Sequence, residues 1–150
     1  MIRTFTAILF ALGLAAPAVA GGNADVLLPL QQFAQGMNSA DYKLAGSGFI
    51  EDASILDDMA PFHWQGKGST VQWLAAIESA IKAGGTQGFA MKLGKPRQVQ
   101  VKGDVAYASV PTAFRYTING QVGKGSNVTT VVLKKVGEGW KITAFAVAGQ

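Results

Sequence analysis

The sequence predicts an α+β domain: three helices in the amino-terminal half, with a curved antiparallel sheet of about six strands wrapped around them. Three features predict it. Apolar residues recur at three-to-four spacing only before residue 85. Beyond it the chain reads as strand, with alternation such as Val99 and Val101. Asn119-Gly120 and the glycine turn at 137–139 punctuate those runs as hairpins.

The first helix covers residues 26–38, where Val26, Leu27, Leu30, Phe33, Ala34 and Met37 make one apolar stripe. Asp25 stands where a cap is expected, and Pro29 falls in or near the first turn, where its missing N–H costs least. Asp41 then caps a short second helix over 42–47, which ends at glycine. A short strand follows over 49–57, then a turn and a second short strand within 60–69. Ser69 reads as the cap of a third helix, with Val71, Leu74, Ile77, Glu78 and Ile81 near one face and Trp73 on its flank. Lys82 and Gly84-Gly85 close that helix with a cation and glycines, as its carboxyl end favours. The next strand is interrupted at Lys95-Pro96. The following one, 104–118, carries Pro111 mid-run, which implies a bulge or an edge position. Two further strands, 122–136 and 140–149, complete the sheet.

Residues 1–20 read as an export signal. A positive start is followed by an apolar run too short to span a bilayer, and Ala18-Val-Ala20 supplies the small residues of a cleavage site after Ala20. The expected location is periplasmic or secreted, in a bacterium. The mature chain, 21–150, suits one domain with one core. With no cysteine it has no disulfides, so apolar burial must stabilise it. Without Arg3 it carries 12 basic and 9 acidic side chains, a net charge of +3. The basic residues are scattered, with no stripe interleaved with aromatics, which argues against nucleic-acid binding. Asn127-Val-Thr129 matches a glycosylation acceptor but lies in a strand of a bacterial-style chain and reads as chance.

The stretch Glu51-Asp-Ala-Ser-Ile-Leu-Asp-Asp58, followed by Trp64-Gln-Gly66 and at once by a helix with Trp73 in its second turn, resembles the NTF2-like superfamily. So does the terminal hairpin 131–147 with Trp140-Lys-Ile142. That superfamily includes SnoaL-like polyketide cyclases and ketosteroid isomerase. The resemblance covers 25–148 and implies a cone-shaped fold with a pocket at its wide end, and a homodimer formed through the outer sheet face. It also places Asp57 at the position of the isomerase's proton-shuttling carboxylate. The chain departs from that enzyme in two places: Phe33 falls at or near the position of its tyrosine donor, and residues 129–133 hold no acid. A missing oxyanion donor commonly costs ~3–4 kcal/mol, so the isomerase reaction itself is not expected.

Among single residues, Asp57 is either a base raised toward neutrality in an apolar pocket or a strand end bonded to its own turn, with Asp58 as a neighbour. Glu51 and Asp52 read as solvated. His63 is a pocket base or a polar side chain at the rim. One histidine without cysteine or a spaced second ligand gives no metal site, and no cofactor is implied. Trp64 and Trp73 are core residues or pocket walls. Arg115 either faces inward, to pair with Asp57 or hold an anion, or faces solvent. Strand alternation puts Tyr107, Ser109 and Arg115 on one face and Phe114, Tyr116 and Ile118 on the other, provided Pro111 does not shift the register.

These readings give three functional expectations. The first is a pocket lined by Phe33, Trp64, Trp73, Tyr107, Arg115 and Phe145 that binds a small hydrophobic or amphipathic molecule. The second is an acid–base enzyme of isomerase, cyclase or hydratase type using Asp57, with His63 as a second candidate. The third is a protein-interaction module. No nucleic-acid partner is expected, nor a membrane partner once the signal is removed.

Overall fold

A computed structural model describes residues 22–149; the expected export signal lies outside them. The helices are α1 (Gly22–Ser39), α2 (Tyr42–Ser47) and α3 (Ser69–Ala83). The strands are β1 (Phe49–Leu56), β2 (His63–Trp64), β3 (Gln87–Leu93), β4 (Gln98–Lys102), β5 (Val105–Ile118), β6 (Gln121–Val136) and β7 (Gly139–Gly149). The strands form a single seven-stranded sheet in the order β2-β1-β7-β6-β5-β3, with β4 also paired to β5. The expected α+β layering is what the chain adopts.

The sheet departs from the expectation in being mixed. β1 runs parallel to β7, while every other pair is antiparallel. Period-two alternation reports which face a side chain occupies and carries no information on strand direction, so this pairing of two strands distant in sequence was invisible to it. The hairpin signal did locate its turn. Asn119 and Gly120 have φ of 51° and 75°, and Ile118 pairs with Gln121 around them. Positive φ at both central residues is the twist-matched geometry of a two-residue hairpin.

Of the two readings of Pro111, a bulge or an edge, the structure bears out the second, locally. From Val105↔Lys134 to Ile118↔Gln121 the β5–β6 register is unbroken, and on the other side β3 pairs only as far as Thr112 and β4 only as far as Ser109, so Pro111 faces the gap between them. The irregularity lies across from it. From Leu93 to Gln98 the chain advances five residues while β5 advances three, from Thr112 to Ser109. Pro111 sits at that seam, where its carbonyl accepts the Gly94 N–H at 2.7 Å and the reciprocal donor is the one proline lacks. Because the register holds, Ala106, Ala108, Val110 and Thr112 are buried on the inner face, and Tyr107 and Arg115 are exposed on the outer one.

Two helix starts also differ from expectation. α1 begins at Gly22, so Asp25 lies within its first turn and Pro29 lies inside the helix. Pro29 is buried against Gly48, where an added Cβ would stand 2.8 Å from the Pro29 carbonyl oxygen. α3 begins with Ser69 itself, behind Gly68 at φ 79°, which supplies no side-chain cap. The buried Ser69 hydroxyl instead donates to the Ala53 carbonyl at 2.6 Å and ties α3 to β1.

The core joins the α1 stripe to the inner sheet face. Val26, Leu30, Phe33 and Met37 are buried with Ile55, Val131, Leu133, Ile142 and Phe145. Its centre is aromatic: Phe33 stacks on Trp73 with centroids 5.5 Å apart and planes 16° apart, and Phe145 lies 5.0 Å from Trp73 and 5.3 Å from Phe33. Such contacts fix relative orientation beyond what area burial alone supplies.

Candidate functional site

Residues of α1, α3 and the sheet line a cavity of about 280 Å³. α1 contributes Phe33 and Met37, and α3 contributes Trp73, Ile77, Ala80 and Ile81. Phe89 and Met91 of β3, Phe114 of β5, and Phe145 and Val147 of β7 form the sheet side. Met59, from the loop after β1, also lines it. Met37, Met59 and Met91 are every methionine among the described residues, and all three line this one cavity. Methionine is the side chain that adapts most readily to an irregular apolar shape.

Phe114 forms part of the floor because β6 carries Gly125 directly opposite it. A Cβ at Gly125 would fall 2.4 Å from the Phe114 ring, and one at Gly123 would fall 2.5 Å from the Tyr116 ring. The rings therefore lie flat across glycine backbone. Phe89, Phe114 and Tyr116 continue side by side, with centroids 6.4 Å apart at each step and planes within 21°.

The polar groups in this apolar lining are few. Asp57 follows the last residue of β1, and its side chain is held from two directions. Oδ1 accepts the Met59 N–H at 2.9 Å, closing the turn, and Oδ2 accepts the Trp73 indole N–H at 2.8 Å. Each oxygen keeps a second acceptor site. Burial raises the Asp57 carboxyl above the ordinary aspartate range; the Met59 and Trp73 hydrogen bonds oppose this, and neighbouring Asp58 adds to it. Asn127 and Thr129 of β6 stand on the sheet side of the cavity. The Thr129 hydroxyl lies 2.9 Å from that of Thr112 and 3.4 Å from Asn127 Oδ1, leaving the Asn127 amide N–H groups free to donate.

Asp57, Phe33, Trp73 and Phe145 are thus brought together, and the other candidates lie elsewhere. His63 is exposed on β2, with Nε2 3.0 Å from the Ser54 hydroxyl. Trp64 is buried in the core but does not line the cavity. Tyr107 and Arg115 are on the outer face because Phe114 and the buried even-numbered residues of β5 take the inner one. Arg115 consequently has no access to Asp57. The sequence reading missed the three methionines, Phe89, Asn127 and Thr129 as lining residues. Strand parity counted from the hairpin would have brought Asn127 and Thr129 to the same face as Gly125 and Phe114.

Three helices against a curved, open mixed sheet are the architecture of NTF2-like proteins. The SnoaL-like domain matches residues 26–145, and the chain belongs to that family. Solved structures agree on the fold. An NTF2-like superfamily protein from Salmonella enterica superposes with a TM-score of 0.70 at 19% identity, covering 85% of this chain and 89% of the other. A ketosteroid isomerase-like protein from Erwinia carotovora gives 0.67 at 17%, covering 87% and 98%. A hexachlorocyclohexane dehydrochlorinase gives 0.72 at 10%, covering 86% and 85%. No curated protein sequence matches the chain. Among the described residues, no helix is long and apolar enough to cross a membrane.

Proposed function

We propose that the chain is an exported binding protein whose cavity takes a small, mainly apolar molecule with one polar group directed at Asp57 or Asn127. The observation that carries this reading is the lining itself: aromatic and methionine walls around a carboxylate that burial shifts upward. Its volume, about 280 Å³, is near the lower bound of ligand sites, which run from roughly 300 Å³ upward and pair apolar walls with a few placed polar groups. Export rests on the leader at 1–20.

The test uses the three methionine methyls as reporters. With methyl-13C methionine in the mature protein, titration with the neutral ring compound 2-naphthol is expected to shift the resonances of Met37, Met59 and Met91 saturably. Saturable binding that leaves all three unmoved, or no binding up to the solubility limit, overturns the reading.

A second reading is favoured by the upward shift of Asp57: proton abstraction next to a carbonyl, with the Asn127 amide as the hydrogen-bond donor to the oxygen. The dehydrochlorinase of the same fold supplies an analogy of architecture only. Under this reading the protein accelerates deuterium exchange at the α-carbon of cyclohexanone in heavy water, and Asp57→Asn abolishes the acceleration. Equal exchange with both proteins removes the proposal.

A further inference from the structure

The outer face of the sheet carries a charge pattern that the cavity does not use. Residues 22–85 hold seven acidic and three basic side chains, and residues 86–149 hold two acidic and nine basic ones. The net charges are therefore −4 and +7, and the scattered cations of the sequence are concentrated on the sheet half. No Asp or Glu occurs within β3, β4, β5, β6 or β7; Asp104 and Glu138 are both in turns.

On that face Arg115 stands directly opposite Lys124, and Ala113 directly opposite both Lys92 and Ser126. Directly opposed side chains start about 5 Å apart and diagonal ones about 7–8 Å apart. Lys92, Arg115, Lys124 and Ser126 therefore ring the Ala113 methyl. They border a shallow concavity of about 700 Å³ floored by Ala90, Ala113 and Gly125. The ion pairs among the described residues are Lys67–Glu51 and Lys82–Glu78, neither of which is near it. Like charges placed directly opposite across a ladder destabilise a sheet unless a counter-charge sits between them. Lys141, which also faces a lysine across the ladder, is occupied differently, donating to the Ser47 carbonyl.

We propose that Lys92, Arg115 and Lys124 form a site for a small polyvalent oxyanion, of phosphate or sulfate type, seated over Ala113 with Ser126 as a neutral donor. Arginine supplies a fork that matches two oxygens, and the lysines supply mobile point charges. The +7 sheet half draws such anions toward the site.

The experiment is a titration of the mature protein with inorganic phosphate at constant ionic strength, followed by amide NMR. Saturable shifts confined to residues 90–92, 113–115 and 124–126 are expected. Lys124→Gln and Arg115→Gln should each weaken the affinity about twofold to fivefold, the scale of an exposed ion pair. Lys134→Gln, on the same face but at the far end of β6, should leave it unchanged. Vesicles containing phosphatidic acid, whose headgroup is a phosphate monoester, then separate the sources: if they displace phosphate the anion is a lipid headgroup, and if they do not it is a free ion, both consistent with the site. Shifts that chloride reproduces, or that Lys134→Gln diminishes as much as Lys124→Gln, overturn it in favour of diffuse charge. So does protection of the same residues by self-association with no response to phosphate.

Discussion

Gly125→Ala tests whether the floor of the cavity is built as described. A methyl group at this position would meet Phe114 Cζ at 2.4 Å and Cε2 at 2.5 Å, whereas ordinary contact begins at 3.4 Å, so the ring must withdraw by about 1.0 Å. Sideways escape is blocked by Phe89 and Tyr116, whose rings flank it at 6.4 Å, and the strand lies behind it. The remaining direction is into the cavity. Overpacking of this kind costs about 1–3 kcal/mol, and alanine recovers ~0.5–1 kcal/mol of strand preference over glycine, leaving a net loss of about 0–2.5 kcal/mol. Urea denaturation measures it. In a Phe114→Ala background the same change should become neutral or stabilising by up to ~1 kcal/mol, because only the strand preference remains. Gly139→Ala is the control: nothing lies within 4 Å of its added Cβ, and it should not destabilise. If Gly125→Ala stabilises the protein with Phe114 in place, or is equally destabilising with Phe114 removed, the Phe114 ring does not lie across the Gly125 backbone.

Two further predictions concern Asp57 itself and the Ser69 tie between α3 and β1. The folded pKa of Asp57 is raised above the ordinary 3.8, so the folded state holds the proton more tightly than the unfolded chain. Its contribution to stability is complete below 3.8 and lost as pH rises through the folded value. The stability difference between the parent and Asp57→Asn should therefore decline on going from acid to neutral pH, by no more than about 1.4 kcal/mol per pH unit for one proton. A difference that grows with pH contradicts the assignment. Ser69→Ala should cost about 1–3 kcal/mol by leaving the Ala53 carbonyl without its donor, and Ser69→Asp should not restore it, since the residue is not a cap. Recovery of stability with aspartate would return Ser69 to the capping role.

The layer order, both long helices and the Asn119-Gly120 hairpin were legible because each depends on local pattern. Strand direction was not, because alternation is blind to it, and the parallel β1–β7 pairing arises only when helices and hairpins pack together. Pro111 shows a local rule met at a gap between two partner strands rather than by a bulge in its own. The rule correctly requires that the missing N–H lack a partner, but the irregularity is taken up by the strand opposite. The site was legible for Asp57, Phe33, Trp73 and Phe145, whose placement depends on helix faces, a strand end and the inner face of β7. Tyr107 and Arg115 depended on the register through Pro111, and an unbroken register places both outside. Asn127 was read as part of a chance acceptor motif, although its parity with Gly125 on β6 sets it on the cavity side.

Burial at the apolar cavity makes Asp57 a carboxyl that keeps its proton longer than an ordinary aspartate. A 13C NMR titration of the Asp57 Cγ resonance, assigned by its loss in Asp57→Asn, tests this directly. A midpoint above 3.8 is expected. A midpoint at or below that value would mean that the Met59 and Trp73 hydrogen bonds outweigh burial and that the carboxylate is only a closed turn.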